Sequence, residues 1–438
     1  MLTRIEISGF KTFSDFALDV PPFLVVAGTN ASGKSNFFDA IRFLSTVAEH
    51  DLGTTVKAMR GEFDELFRRT GERHATTLRF AAEVLLEPRV RDPWGEISRL
   101  SQHRLRYELD IERRKGDSSS GERLFVARES VTPIRASGDR IRRALGSDFR
   151  QHLSYRRREP LLSTTSGARP EFKLHQDGKA GRERPAVSAE ATVLSSISTA
   201  DTFPHLFALR EEFRKWRFLQ LDPGSLRRST PYQAQDMLDD RGENLGGVLA
   251  RLKLAGDEFR QVVSDLASLI PGLVDVDVIE DDAEKRWEIQ IRFVDQPPLS
   301  ARVASDGTLR LLGLVTALND PSFGGVICLE EPENGVHPAR VRPLVELMRN
   351  AATDFREHEA RPYVQVLANT HSPAVVATTD DIECVFFDTV TELDAGPTRA
   401  TKTRSRRVVW GDLLSQEDAG VVTRLEVDDY LQSAARTT

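Results

Sequence analysis

Three features predict an α/β fold built on a mixed sheet flanked by helices. An apolar run, Phe23 to Ala27, passes through a glycine-bearing loop into a helical pattern at Phe37, Phe38, Ile41, Leu44 and Ala48. That is the strand–loop–helix opening of a parallel unit. Towards the other end, the continuous apolar run Val326–Leu329 precedes a helical pattern over Pro338–Met348 and strand-like runs at Tyr363–Ala368 and Cys384–Phe387. Uninterrupted apolar strands are those covered on both faces. With 438 residues and 39% hydrophobic content, the chain can bury the core of two or three domains, or of one large domain with an insertion.

The remaining elements follow in order. Leu2, Ile5, Ile7 and Phe10 mark a short first strand, and Thr77–Leu86 and Arg104–Ile111 read as antiparallel additions. Arg135–Arg184 changes character, with thirteen Lys/Arg against six Asp/Glu among scattered Ser, Gly and Pro. It reads as surface loops, short helices or partly disordered sequence. Helical patterns return at Phe203–Trp216 and Leu245–Ile270, followed by a strand at Trp287–Val294 and a helix from Gly307 to Leu318. Sustained heptads are absent, which excludes a long coiled coil, and there is no internal repeat.

The net charge of −7 does not mark a general nucleic-acid binder, although local patches decide such binding. The cations are 50 Arg and only 10 Lys, so a lysine at a special position stands out. Cys328 and Cys384 both lie in apolar runs, which rules out a disulfide framework and favours a reducing compartment. No run approaches the roughly 20 apolar residues that span a bilayer. Arg4, Glu6, Lys11 and Asp15 are incompatible with a signal peptide. The expectation is a soluble cytoplasmic protein without a membrane partner.

Gly28-Thr29-Asn30-Ala31-Ser32-Gly33-Lys34-Ser35 fits GxxxxGK[ST] in full, after a strand and before a helix. Glycines let backbone N–H groups turn towards phosphate oxygens, and the helix N-terminus adds partial positive charge. Lys34 supplies a full charge to the outer phosphates, and the Ser35 hydroxyl is a hard oxygen ligand suited to Mg²⁺. After the buried strand come Glu330 and Glu331, two adjacent carboxylates that need compensation. Glu330 suits a metal, and Glu331 suits the orientation or deprotonation of an attacking water.

Two later segments each support two readings. In Ala304-Ser305-Asp306-Gly307-Thr308-Leu309-Arg310, Ser305 is a reasonable helix N-cap, and the same geometry can grip a phosphate. In Thr370-His371-Ser372-Pro373, Ser372 and Pro373 suit a helix start, whereas His371, just past a parallel strand, faces the ligand crevice as a donor to a γ-phosphate. His337 is another candidate for that role, but it better fits the start of the helix that follows it.

Together these segments resemble the ABC-type ATPases of the RecF and SMC branch. The resemblance rests on Gly28, Asn30, Ser32 to Asn36, the opening Ile5 to Phe13, the variant signature Ala304 to Thr308, the stretch Leu329 to Pro338, and Thr370 to Pro373. The stretch Leu329 to Pro338 is also similar to stand-alone bacterial ATPases related to the ATPase half of OLD-family nucleases. The resemblance implies a P-loop NTPase, an ABC-type ATPase head, with a largely helical, basic insertion. The expected divisions are 1–130 (phosphate-loop lobe), 131–270 (insertion) and 271–438 (signature, acidic pair, switch histidine).

It also implies ATP and Mg²⁺ as cofactors, with Gly28, Asn30, Ala31, Ser32, Gly33, Lys34, Ser35 and Asn36 around the nucleotide. Ser35 and Glu330 would lie at the metal, and Glu331 and His371 would be catalytic. In the family two heads sandwich two ATP molecules, so Ser305 and Gly307 would touch the nucleotide held by a second copy. The implied function is an ATPase gating head dimerisation in DNA repair or phage defence, or a regulatory subunit holding an operon-encoded effector. Nucleic acid could contact Arg135–Arg184 and Arg399–Arg407. Glu330 replaces the usual Asp, Asp306 stands where Gly is common, and no residue stands out as the Q-loop glutamine beyond Gln102. After Cys384–Phe387 little sequence remains for a nuclease domain.

Overall fold

The computed structural model describes residues 1–115, 121–167, 169–176, 179–232, 237–356, 361–393, 399–409 and 420–435. Residues 168, 177 and 178 of the basic stretch lie outside them. Two large sheets organise the chain. The central one has seven strands in the order Arg217–Leu219, Gly325–Glu330, Val364–Thr370, Phe23–Gly28, Cys384–Leu393, Arg399–Val409 and Val421–Thr423. Its first five strands run parallel, and Arg399–Val409 pairs antiparallel to Cys384–Leu393. The other sheet has eight strands, all antiparallel, and contains Leu2–Ser8, Thr77–Leu85, Arg104–Lys115 and Glu122–Pro133.

The phosphate-loop strand shows why an unbroken apolar run is needed here. Successive side chains alternate between faces, so Leu24 and Val26 enter one core and Phe23 and Val25 the other. The first core fills the space between the two sheets around the helix Lys34–Val47. Phe37 of that helix meets Phe387 edge-on at 5.6 Å, and Phe387 also meets Phe16 at 5.4 Å. Such ring pairs contribute about 0.5–1.5 kcal/mol each beyond their buried area, and they seat the helix on the sheet. The second core joins the opposite face to the helices Leu245–Ala255, Asp257–Leu269, Asp306–Leu318 and Val341–Ala351.

Two expectations are corrected. The basic stretch is not only loops and short helices. Leu162–Thr164, Glu171–Gln176 and Lys179–Pro185 are strands that extend the antiparallel sheet. Phe172 and Leu174 are buried, while Lys173 between them pairs with Glu183, so the alternation was present but masked by charge. The helical part of the insertion begins at Pro204–Arg214. The pattern over 245–270 is two helices rather than one, parted at Gly256, whose φ is +93°. That conformation suits glycine and ends a helix.

Candidate functional site

Strand register assembles the site. Ala27 lies opposite Thr370, Asn369 opposite Glu330, Leu329 opposite Leu219, and Gly28 opposite Phe387. The phosphate loop, the acidic pair and the segment leading to His371 therefore converge at the carboxyl ends of adjacent parallel strands, where open α/β sheets bind ligands.

The loop itself is strained into a cradle. Ala31 has φ +61° and Gly33 φ +99°. A Cβ on Gly33 would stand 2.1 Å from Thr403 Oγ1, so glycine is required for both conformation and space. Thr403 Oγ1 donates to Ser32 O at 3.1 Å and lies 2.8 Å from Thr12 Oγ1, which accepts from Asn36 Nδ2 at 3.1 Å. The loop is thus clamped between the turn after the first strand and the strand Arg399–Val409. Asn30, Ala31 and Ser35 lie on the surface of this cradle.

Lys34 lies across the loop, its ammonium donating to Gly28 O at 2.6 Å and Thr29 O at 2.7 Å. Burial lowers its pKa to about 8, against the pull of Glu331 and Glu333. Ser32 is 2% exposed, and its Oγ has no hydrogen-bond partner. An orphaned hydroxyl in a glycine cradle beside a buried ammonium is a donor set that fits a polyphosphate. Ser35 and Glu330 are the oxygen-bearing side chains that would hold a metal here. No group of three or more His, Cys, Asp or Glu side chains that could hold a metal occurs among the described residues.

Glu331 adopts φ +48°, and its N–H donates to Asn369 O (3.1 Å) and Asn369 Oδ1 (3.0 Å). A non-glycine residue in that region stores strain of the kind found at functional sites. Its Oε1 lies 3.0 Å from His371 Nδ1, and its Oε2 accepts from Asn334 Nδ2 at 2.7 Å. Glu331 and His371 therefore form a directly hydrogen-bonded pair. His337 caps the turn Pro338–Arg340 through Nδ1, which accepts from Ala339 N at 3.2 Å.

Ser305 is the N-cap of Asp306–Leu318, accepting from Thr308 N at 3.2 Å. Gly307 lies not on the phosphate loop but on Gly335, which has φ +86°; a Cβ on Gly307 would meet Gly335 O at 2.9 Å. The signature helix thus abuts the loop that follows the acidic pair.

Three residues escaped the sequence reading. Arg60 donates to Asp39 at 3.0 Å and to Glu330 at 2.8 Å, and Asp39 also takes Lys11 at 2.6 Å; one arginine among 50 carries no signal. Glu333 accepts from the Thr370 hydroxyl, burial raises its pKa, and its Oε2 is buried without a partner. Its sign was a third carboxylate three residues after Glu330. Gln220 immediately follows the strand Arg217–Leu219, whose Leu219 pairs with Leu329, the residue before Glu330. Gln102, by contrast, is fully buried and spends its amide on Arg104 O and Ile134 O.

Comparison with known proteins agrees with this architecture. The Smc head bound to the C-terminal winged-helix domain of ScpA aligns over 93% of this chain and 98% of its own, at 16% identity and TM-score 0.51. An Smc head with an extended coiled coil from Pyrococcus furiosus aligns over 93% and 96%, at 13% identity and TM-score 0.45. At 16% identity the likeness to the first is one of fold: a P-loop ATPase head. No curated protein matches the sequence. A family model described as "AAA domain, putative AbiEii toxin, Type IV TA system" matches residues 23–377. That span holds the phosphate loop, the acidic pair and the histidine, and the chain belongs to this family of AAA-type ATPases.

Proposed function

We propose that the chain is a Mg²⁺-dependent ATP hydrolase in which bound ATP joins two copies. The observation that carries the reading is the convergence of Lys34, Glu331 and His371 with the orphaned Ser32 hydroxyl. On nucleotide binding, Lys34 exchanges the carbonyls of Gly28 and Thr29 for phosphate oxygens, a charge-assisted contact that offsets its desolvation. Ser35 and Glu330 would hold Mg²⁺, Glu330 first leaving Arg60; bound there, the ion would screen the phosphate charge. Glu331 Oε1 accepts the proton of the attacking water while His371 and Asn334 fix its orientation. Gln220 would stand beside the metal.

Gly307 packs on the loop at Gly335 within its own chain; in this reading Ser305 and Gly307 would serve the nucleotide of a second copy. Blocking hydrolysis should therefore trap a dimer. Glu331→Gln with ATP and Mg²⁺ is expected to double the mass measured by light scattering, and a monomer under those conditions rejects the homodimer.

What the dimer acts on has two readings. In the first it works on DNA in repair or phage defence, contacting phosphates through Arg135–Arg184 and Arg399–Arg407. Within the latter, Arg404 and Arg406 both pair with Asp388, so the remaining arginines would carry that contact. In the second it holds and releases an operon-encoded effector, which the family's toxin–antitoxin description favours. ATP hydrolysis stimulated by duplex DNA selects the first. Co-purification with the neighbouring gene product, without a DNA effect, selects the second.

A further inference from the structure

A small hairpin outside the two large sheets carries an unusual surface. Arg89–Arg91 and Ile97–Arg99 form a two-stranded sheet of their own. Its register pairs Arg89 with Arg99, Val90 with Ser98, and Arg91 with Ile97. The period-2 alternation then puts Arg89, Arg91, Ile97 and Arg99 on one face and Val90 on the other. Val90 packs on the core, whereas the three arginines are exposed and Ile97 is 57% exposed. Among the described residues, none of the three guanidinium groups pairs with a carboxylate. The single bond from this set is Arg91 Nε to Gly95 O at 3.4 Å. Arg89 and Arg99 stand directly opposite, an arrangement that destabilises a hairpin unless an anion relieves it.

The tip is built rather than loose. Asp92 is buried and accepts at Oδ1 from the N–H groups of Trp94 and Glu96, each at 2.9 Å. Its own N–H donates to Glu96 O at 3.0 Å, and Gly95 closes the turn with φ +87°. The turn holds Trp94 in water at 83% exposure. Of the carboxylates within and just before the hairpin, Asp92 is committed to the turn, Glu87 faces Lys215 at 3.7 Å, and Glu96 is exposed at the tip.

We infer that this hairpin docks single-stranded nucleic acid, with the arginine face on successive phosphates and Trp94 stacked on an unpaired base. The charge requires a polyanion, and an exposed indole offers a π-face that suits a base and has no role against a carboxylate chain. In an intact duplex the bases are stacked on each other and closed to such a tip. The inference is independent of the ATP reading, because the hairpin shares no residue with the nucleotide site.

The test is anisotropy of a labelled oligothymidylate with the full chain at low and moderate salt. Trp94→Ala is expected to weaken binding about tenfold. Arg99→Glu sets a carboxylate opposite Arg89, so it should keep or raise the melting temperature while weakening binding at least about tenfold and flattening its salt dependence. No binding at low salt, or both variants binding as the parent does, overturns the inference. So does displacement by polyglutamate as readily as by unlabelled strand, which would mark an acidic protein partner. Tighter binding of blunt duplex with no effect of Trp94→Ala would also overturn it.

Discussion

Lys34 is the residue on which two opposed forces are most clearly balanced. Desolvation pulls its pKa down to about 8, and the carboxylates of Glu331 and Glu333 pull it up; burial wins. The ammonium is therefore present below about pH 8 and is lost above it. Nucleotide affinity, measured by calorimetry, should fall as pH rises through about 8, and Lys34→Ala should abolish uptake at every pH. The same charge was legible in the sequence, because a phosphate loop is a local chemical pattern. Arg60, Glu333 and Gln220 were not, because each reaches the site through register or tertiary packing rather than through neighbours in the chain.

At the scale of elements, the signature helix and the loop at Gly335 meet backbone to backbone. A side chain at Gly335 would meet Gly307 Cα at 3.2 Å while holding φ at +86°. Gly335→Ala should cost about 1–2 kcal/mol locally. Because Asn334 holds Glu331, it should lower the turnover of ATP more than its affinity, a split read from steady-state kinetics. Element identity was largely readable where one face or both were apolar, as in Val326–Leu329. It failed at Glu171–Gln176, where alternation was hidden under charge, and at Gly256, where a single left-handed residue divided an otherwise continuous pattern.

For the whole molecule, pH acts on the fold through Glu129. This carboxyl is fully buried, accepting from Val193 N, Leu194 N and the Tyr107 hydroxyl. Those bonds favour the ionised form, yet burial dominates and raises the pKa from 4.5 to about 7. The folded state therefore holds a proton that the unfolded chain releases. The resulting stability is complete below about pH 4.5 and is lost as pH rises through about 7, a change on the order of 3 kcal/mol. Chemical denaturation of the parent should show this decline, and Glu129→Gln should flatten it.

No described helix is long and apolar enough to cross a membrane. The contacts that close the fold instead run between distant parts of the chain, and the bond from Thr403 to the loop carbonyl of Ser32 is one of them. Every recognisable motif precedes that threonine, so a fragment trimmed to its motifs would keep its lettering and lose its grip. Thr403→Val, which keeps the shape and removes the hydroxyl, should weaken ATP binding roughly fivefold at about 1 kcal/mol for the lost bond. A boundary drawn by sequence signatures would then cut through the vice that holds the triphosphate.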